Sequence, residues 1–348
     1  MKIVIGVAHP KHAHIFKNPA SKWREEGHEI YVIAINKGET GYLLKKYFNS
    51  SEYTIIGESK DKLHSKIIHT SALELKSLKL LKRIEPNIAI GRAIPHLIHA
   101  SAACGTKYII FEDTEMAKLL HRITVPFCNA IVTPKNFIGD FGKKHIRFDG
   151  FFELAYLHPE YFKPDRSVLD LLNIAPDERY IVMRTISWDA YHDAGLRGLS
   201  DYRDAIKRLE KYARVIVISE NNDRFLEKYR VSIPPEKIHS LLYYADLYLG
   251  EGGTMAVESA ILGTPSIHVE ATASGLPTGL TSGNFIELKN KYGLLEFYSE
   301  QESAVDKAIN FLEDKKIKKR WNKKRNRLLK EKIDVSKWIY EFVTEFPL

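Results

Sequence analysis

The chain is poor in cysteine, with only Cys104 and Cys128 in 348 residues. Two thiols supply neither a disulfide framework nor zinc-ligand spacing, so both read as small core residues. It contains no apolar run of about 18 residues, the length a bilayer-spanning helix needs. The apolar opening, residues 1–8, is too short for a signal segment and reads as a buried strand, which makes the cytoplasm the expected location. Low-complexity segments and short-period repeats are also missing, which argues against solenoids and disordered arrays.

What is present is the composition of a core-forming globular protein, 44% hydrophobic and 28% charged. The length suits two domains of roughly 150 residues each. A net charge of +8 points to an anionic partner: a phosphorylated metabolite, nucleic acid or an acidic membrane surface. Much of that excess lies in the run 315–332, so the rest of the surface is closer to balance. With no aromatic interleaving and no known module, nucleic acid is not the expected partner.

Short apolar runs alternate with helical patterns from the first residue. Strands are expected at 2–7, 29–35, 53–56, 87–90, 107–111 and 130–133, with a long helix around 61–84 and a short one over 95–103. Pro19 falls inside the first helical segment, either in an early turn or at a kink. This repeated β-α-β order predicts a parallel sheet covered on both faces. Its strands are buried on both sides and so do not alternate, as in KYIIF and AIVT. The pattern breaks around Pro159, Pro164 and Pro176, then restarts. Further strands are expected at 180–184, 214–219, 246–250 and 265–269, with helices near 200–212, 235–244 and 254–262. The expected division is therefore a first Rossmann-like domain over 1–160, a linker over 161–178, a second over 179–315, and C-terminal helices over 316–348. Two doubly wound domains facing across a cleft bind ligands outside the carboxyl ends of their strands.

The most informative stretch is ADLYLGEGGTMAVESAILGTPSIHVE. A strand ends at Gly250, and Gly252, Gly253 and Thr254 open a helix carrying Glu258. Glycines let the backbone approach a ligand, and free N–H groups at a helix start favour phosphate. Thr254 serves as an N-cap or donates its hydroxyl to a phosphate oxygen. Glu258, one turn further on, suits a ribose diol. The plain alternative is a tight strand-to-helix turn with a solvated glutamate.

Three other groups stand at expected strand ends. His9, His12 and His14 follow the first strand; the readings are a metal site, a cleft base or sugar contact at His9, or a loop histidine satisfied by backbone. Glu112, Asp113 and Glu115 follow the strand KYIIF. Crowding there would lift a carboxyl toward general-base duty, whereas a helix N-terminus would simply favour acids. Arg184, Trp188, Asp189 and His192 crowd the end of the second half's first strand. There Arg184 would steady a leaving diphosphate and Trp188 would stack on a sugar or base, or Asp189 and His192 would merely pair with each other. Gly91 and Arg92 form a weaker loop of the same kind.

The segment GEGGTMAVESAILGTPSI resembles the donor-binding motif of GT-B-fold proteins, which include the N-acetylglucosaminyltransferase of peptidoglycan synthesis and the non-hydrolysing UDP-N-acetylglucosamine 2-epimerases. Together with HPKHAHIFK, Glu26-Gly27-His28, FEDTEMAK and RTISWDAYH, it is most similar to the domain-of-unknown-function 354 family, over nearly the whole chain. The resemblance implies a GT-B-like α/β fold, diphosphate contacts from Gly252, Gly253 and Thr254, and a ribose contact from Glu258. Glu112 stands where the epimerases carry a cleft glutamate. Their Thr-His-Arg-Arg-Glu-Asn motif is replaced here by Arg184-Thr185-Ile186-Ser187-Trp188-Asp189, so its histidine is missing unless His192 substitutes.

The leading expectation is a metal-independent glycosyltransferase without a cofactor, taking a nucleotide-sugar donor, with UDP-sugar first, and a sugar or lipid-linked acceptor. Glu112, Asp113 or His9 would be its base. The alternatives are a 2-epimerase with acid and base on both sides of the sugar, and a non-catalytic nucleotide-sugar sensor. The tail IKKRWNKKRNRLLKEK is amphipathic. It is expected to pack back on the first domain or, alternatively, to present a basic face to anionic lipid. No pattern in the chain selects an oligomeric state.

Overall fold

The computed structural model describes residues 1–58, 63–175, 177–186, 196–219 and 223–348. They form two compact units, one of Met1–Tyr161 with Ile333–Leu348 and one of Phe162–Lys332. No helix among the described residues is long and apolar enough to cross a membrane.

The first unit runs β1 (Lys2–Val7), α1 (Pro10–Glu25), β2 (Glu29–Asn36), α2 (Thr40–Tyr47), β3 (Tyr53–Glu58), α3 (Leu63–Ile84), β4 (Ile88–Gly91), α4 (Pro95–Ala103), β5 (Lys107–Phe111), α5 (Lys118–Thr124), β6 (Ala130–Pro134), β7 (His145–Phe148) and α6 (Leu154–Leu157). Its seven strands lie in the order β3-β2-β1-β4-β5-β6-β7, and every pair is parallel. β4, β5 and β6 are buried at nearly every residue, which is why they read as unbroken apolar runs. α1 starts on Pro10, where the missing N–H costs nothing, and continues through Pro19.

The second unit runs α7 (Ser167–Leu171), β8 (Tyr180–Thr185), α8 (Tyr202–Leu209), β9 (Arg214–Ser219), α9 (Ile238–Tyr244), β10 (Leu247–Gly250), α10 (Gly253–Leu262), β11 (Ser266–Val269), α11 (Gly283–Glu287), β12 (Leu295–Tyr298), α12 (Gln301–Glu313) and α13 (Ile317–Glu331). Its five strands, in the order β12-β11-β10-β8-β9, are also all parallel. The stretch expected as a linker thus contains α7, whose Val168 and Leu169 are buried in this unit.

The tail divides between the units. α13 stays in the second, where Ile317, Trp321 and Leu328 are buried and the Trp321 indole donates to Leu294 O at 3.0 Å. Its cations are partly consumed as well, Lys324 donating to Gly293 O at 2.6 Å and Arg325 to Ile261 O at 2.9 Å. The second of these bonds a carbonyl at the C-terminal end of α10, where the helix dipole favours a cation. Only the last helix, α14 (Val335–Thr344), joins the first unit. It presents Val335, Ile339 and Val343, all fully buried. Trp338 stacks on Phe148 at 5.2 Å, and Thr344 Oγ1 accepts from the Trp23 indole at 3.0 Å.

Candidate functional site

Each sheet reverses its strand order once, and crevices at such reversals are where open α/β sheets take ligands. In the second unit the reversal lies between β8 and β10, and the glycine-led loop leaves β10 at that point. Gly250 has no room for a side chain, because a Cβ would lie 2.7 Å from the carbonyl oxygen of Arg184 in β8. Gly252 has φ +81°, a left-handed backbone that glycine adopts without strain, and it occupies the N-cap of α10. The cap is therefore Gly252 and not Thr254, which sits inside the first turn. A glycine cap offers no side-chain acceptor, so the N-cap residue leaves the opening N–H groups of α10 without a side-chain bond of its own. Gly253 differs from its neighbours: among the described residues, a Cβ there would meet only Phe285, at 3.4 Å. None of the described residues demands glycine at that position.

Glu258 lies one turn into α10, buried, with Oε1 3.1 Å from His239 Nε2 on α9. A carboxylate only accepts, so the imidazole donates and fixes the carboxylate's orientation. Glu251, between β10 and the cap, is also buried. Its two oxygens accept from Ile186 N at 2.7 Å and Leu199 N at 2.6 Å, holding both ends of the segment that follows β8. Arg184 lies within β8, registered against Gly250. Trp188, Asp189 and His192, expected in the same group, lie outside the described residues. On β11, burial pushes the His268 imidazole down to about 4, so it is neutral at pH 7.

In the first unit the reversal lies between β1 and β4. A buried charge cluster occupies it. Lys11 Nζ is 2.8 Å from Asp113 Oδ2 and 2.7 Å from Glu153 Oε1. Arg92 Nη1 is 2.5 Å from Asp113 Oδ1, while its Nη2 bonds Glu112 and Thr114 Oγ1. Glu112 Oε1 also accepts from the backbone N–H groups of Asp113 and Thr114 at 3.0 and 2.9 Å.

Burial alone would raise these carboxyls, but Arg92 together with His121 outweighs it at Glu112, and Arg92 with Lys11 outweighs it at Asp113. Both are therefore held below the ordinary carboxylate range. The expected lift toward general-base duty is reversed for Glu112 and Asp113 because two cations divide the acids between them. Glu115 leaves the group, its Oε1 accepting from Ile138 N at 3.3 Å. The carboxyl that burial does raise is Glu153, with the Asp113 charge adding to the effect against the pull of Lys11.

The three N-terminal histidines separate on helix α1 and its cap, where a loop was expected. His9 is the N-cap, its Nδ1 accepting from Lys11 N at 3.2 Å. His12 Nδ1 accepts from Ala8 N at 3.2 Å, and burial followed by the Arg92 charge keeps its imidazole neutral. His14 stacks on Tyr156 at 5.2 Å. Among the described residues, no group of three or more His, Cys, Asp or Glu side chains is arranged to hold a metal ion.

Sequence reasoning missed Glu153, Lys11, Glu251 and His239, and underrated Arg92. Glu153 did carry a signal: it is the one charge in the apolar run FFELAYL, and a charge in such a run requires a partner.

Two units of doubly wound parallel sheet, the second with a glycine-capped helix at its strand reversal, define a protein of GT-B fold. The chain belongs to the family described as protein of unknown function (DUF354), whose sequence model matches residues 1–343. An uncharacterized protein of Methanocaldococcus jannaschii is 26% identical over 278 residues, which span 77% of this chain and 81% of the relative. Among solved structures, the UDP-GlcNAc 2-epimerase of Neisseria meningitidis bound to UDP-GlcNAc is similar with a TM-score of 0.71 at 12% identity, covering 99% of this chain and 100% of that one. The SsfS6 glycosyltransferase of Streptomyces sp. SF2575 is similar with a TM-score of 0.59 at 10% identity, again covering 99% and 100%. Those two likenesses establish the fold.

Proposed function

We propose that the protein binds a nucleoside diphosphate sugar on its second unit and uses it as the donor in glycosyl transfer. The observation that carries this reading is the start of α10, where a glycine cap at the strand reversal precedes a buried, oriented carboxylate by six residues. The opening N–H groups of α10 take the diphosphate, Glu258 takes the ribose diol, and Arg184 adds positive charge against the leaving group. The fold supports the reading, since one similar structure holds UDP-GlcNAc, and a uridine diphosphate sugar is the first donor to test. No dedicated metal ion is required, because helix N–H groups and a guanidinium serve the diphosphate. A sugar or a lipid-linked sugar is the proposed acceptor.

In the first unit, Glu153 and His9 replace Glu112 and Asp113 as candidates for proton transfer. The latter two are held below the ordinary carboxylate range and are too weakly basic for that duty at neutral pH, whereas burial raises Glu153 despite its pairing with Lys11.

Isothermal calorimetry with UDP, GDP, dTDP and CMP tests the site. One nucleotide should bind, and Glu258→Gln should weaken it by about tenfold or more, the scale of a charge-assisted hydrogen bond. If none of the four binds, the nucleotide-sugar reading fails. Proton NMR on the bound sugar nucleotide then separates the chemistries: a transferase needs an acceptor, whereas inversion at C2 with donor alone would replace transfer by epimerisation.

A further inference from the structure

Among the described residues of the first unit, a row of apolar side chains around α5 is exposed. Met116, Leu119, Ile123 and Phe127 follow one another at spacings of three, four and four residues, from the turn before α5 through the helix to the turn after it. Their exposures are 60%, 73%, 42% and 50%. Ile138, 49% exposed, is joined to them through the bond from its N–H to Glu115. The edge-on contact of Phe141 with His121 at 5.3 Å ties the same loop to α5. Singly scattered exposed apolar side chains need no explanation, but five on one face do.

The chain segment that carries this face is basic, although His99, bonded to Glu74, also packs on Phe127. Residues 114–147 hold six Lys or Arg against Glu115 and Asp140, a local balance of +4. Lys118, Arg122 and Lys143 are exposed around the apolar tips. Lys144 is anchored beside them, donating to the carbonyls of Pro126 and Cys128 at 3.0 and 2.7 Å. The two acids are committed, Asp140 to His145 at 3.0 Å and Glu115 to the Ile138 N–H.

We propose that this face is a docking surface for an anionic lipid bilayer. Apolar tips enter the acyl boundary while the surrounding cations meet lipid phosphates. A second copy of the chain is disfavoured as the occupant, because apposing this face to itself sets Lys118, Arg122 and Lys143 against their own kind. The amphipathic tail does not provide such a surface, since the apolar stripe of α13 is already buried. The inference stands independently of the nucleotide-sugar reading.

Co-sedimentation of the full chain with vesicles tests it. The protein should pellet with phosphatidylglycerol–phosphatidylcholine vesicles, less so in high salt, and should stay in solution with phosphatidylcholine alone. Leu119→Glu combined with Ile123→Glu should lower the bound fraction about tenfold or more. Lys118→Glu with Arg122→Glu, both at exposed positions, should lower it as well, and Leu280→Glu on the second unit should leave it unchanged. Failure of the wild type to bind anionic vesicles, or undiminished binding by both double variants, overturns the proposal. So does a dimer in sedimentation velocity that Leu119→Glu dissolves, since the face would then belong to a second copy.

Discussion

Asp113 sits between two cations, Lys11 and Arg92, with its side chain only 5% exposed. Its carboxyl is held below the value it has in an unfolded chain, as is that of Glu112. A depressed carboxyl contributes stability in full above the unfolded value, roughly pH 4, and loses it as the pH falls toward the folded value. Asp113→Asn leaves Lys11 and Arg92 each short of a carboxylate. It should cost about 3–5 kcal/mol at pH 7, the scale of breaking a buried pair. It should also flatten the acid limb, so that urea midpoints of wild type and variant converge as the pH is lowered below 4. Parallel curves would show that the pairing does not set the acid limb. Glu153 runs the other way: its folded value is raised, so its ionisation becomes a cost as the pH climbs above the unfolded value.

At the scale of elements, the entrance to α10 separates what the fold needs from what a ligand needs. Gly252 is at φ +81°, so Gly252→Ala should cost about 1–2 kcal/mol of stability by forcing a left-handed alanine. Gly253 opens the helix with only Phe285 nearby among the described residues, at ordinary contact distance from an added Cβ. Gly253→Ala should therefore leave the melting temperature unchanged or slightly raised, since alanine is the better helix former. It should weaken UDP binding about tenfold by placing a methyl against the phosphate path. A variant that melts normally and binds UDP as the wild type does would remove the diphosphate from this turn. Much of this element was legible in the sequence because its residues are unusual ones at special backbone positions. The central strands were legible too, since burial on both faces leaves unbroken apolar runs; β1, β5 and β9 fall on the expected residues. The short edge strands β7 and β12 were not, because HIRF and LEFY are half-exposed and carry little pattern. The partners of the buried charges were illegible for a different reason. Lys11 and Asp113 are 102 residues apart, and Glu251 and Ile186 are 65 apart, so only the folded topology brings them together.

At the scale of the whole molecule, the chain completes its first unit with its last residues. α14 covers α1 with the buried Val335, Ile339 and Val343, and Trp338 and Thr344 add the contacts to Phe148 and Trp23. Each buried aliphatic side chain is worth about 1.5–3 kcal/mol, so the helix supplies a stabilisation comparable with the whole margin of an ordinary domain. Deleting residues 333–348 should therefore open the first unit while leaving the second, whose sheet and α13 are unaffected, folded. Hydrogen exchange read peptide by peptide checks this. Peptides from residues 1–161 should lose protection in the truncated chain, and those from 162–332 should keep it. The same chain should still bind UDP if the donor site lies wholly on the second unit, so calorimetry on the truncated protein separates the two claims. Loss of protection with binding retained supports both. Loss of binding while 162–332 stay protected would mean that the first unit contributes to the nucleotide site, and the donor assignment would have to be withdrawn from β10 and α10 alone.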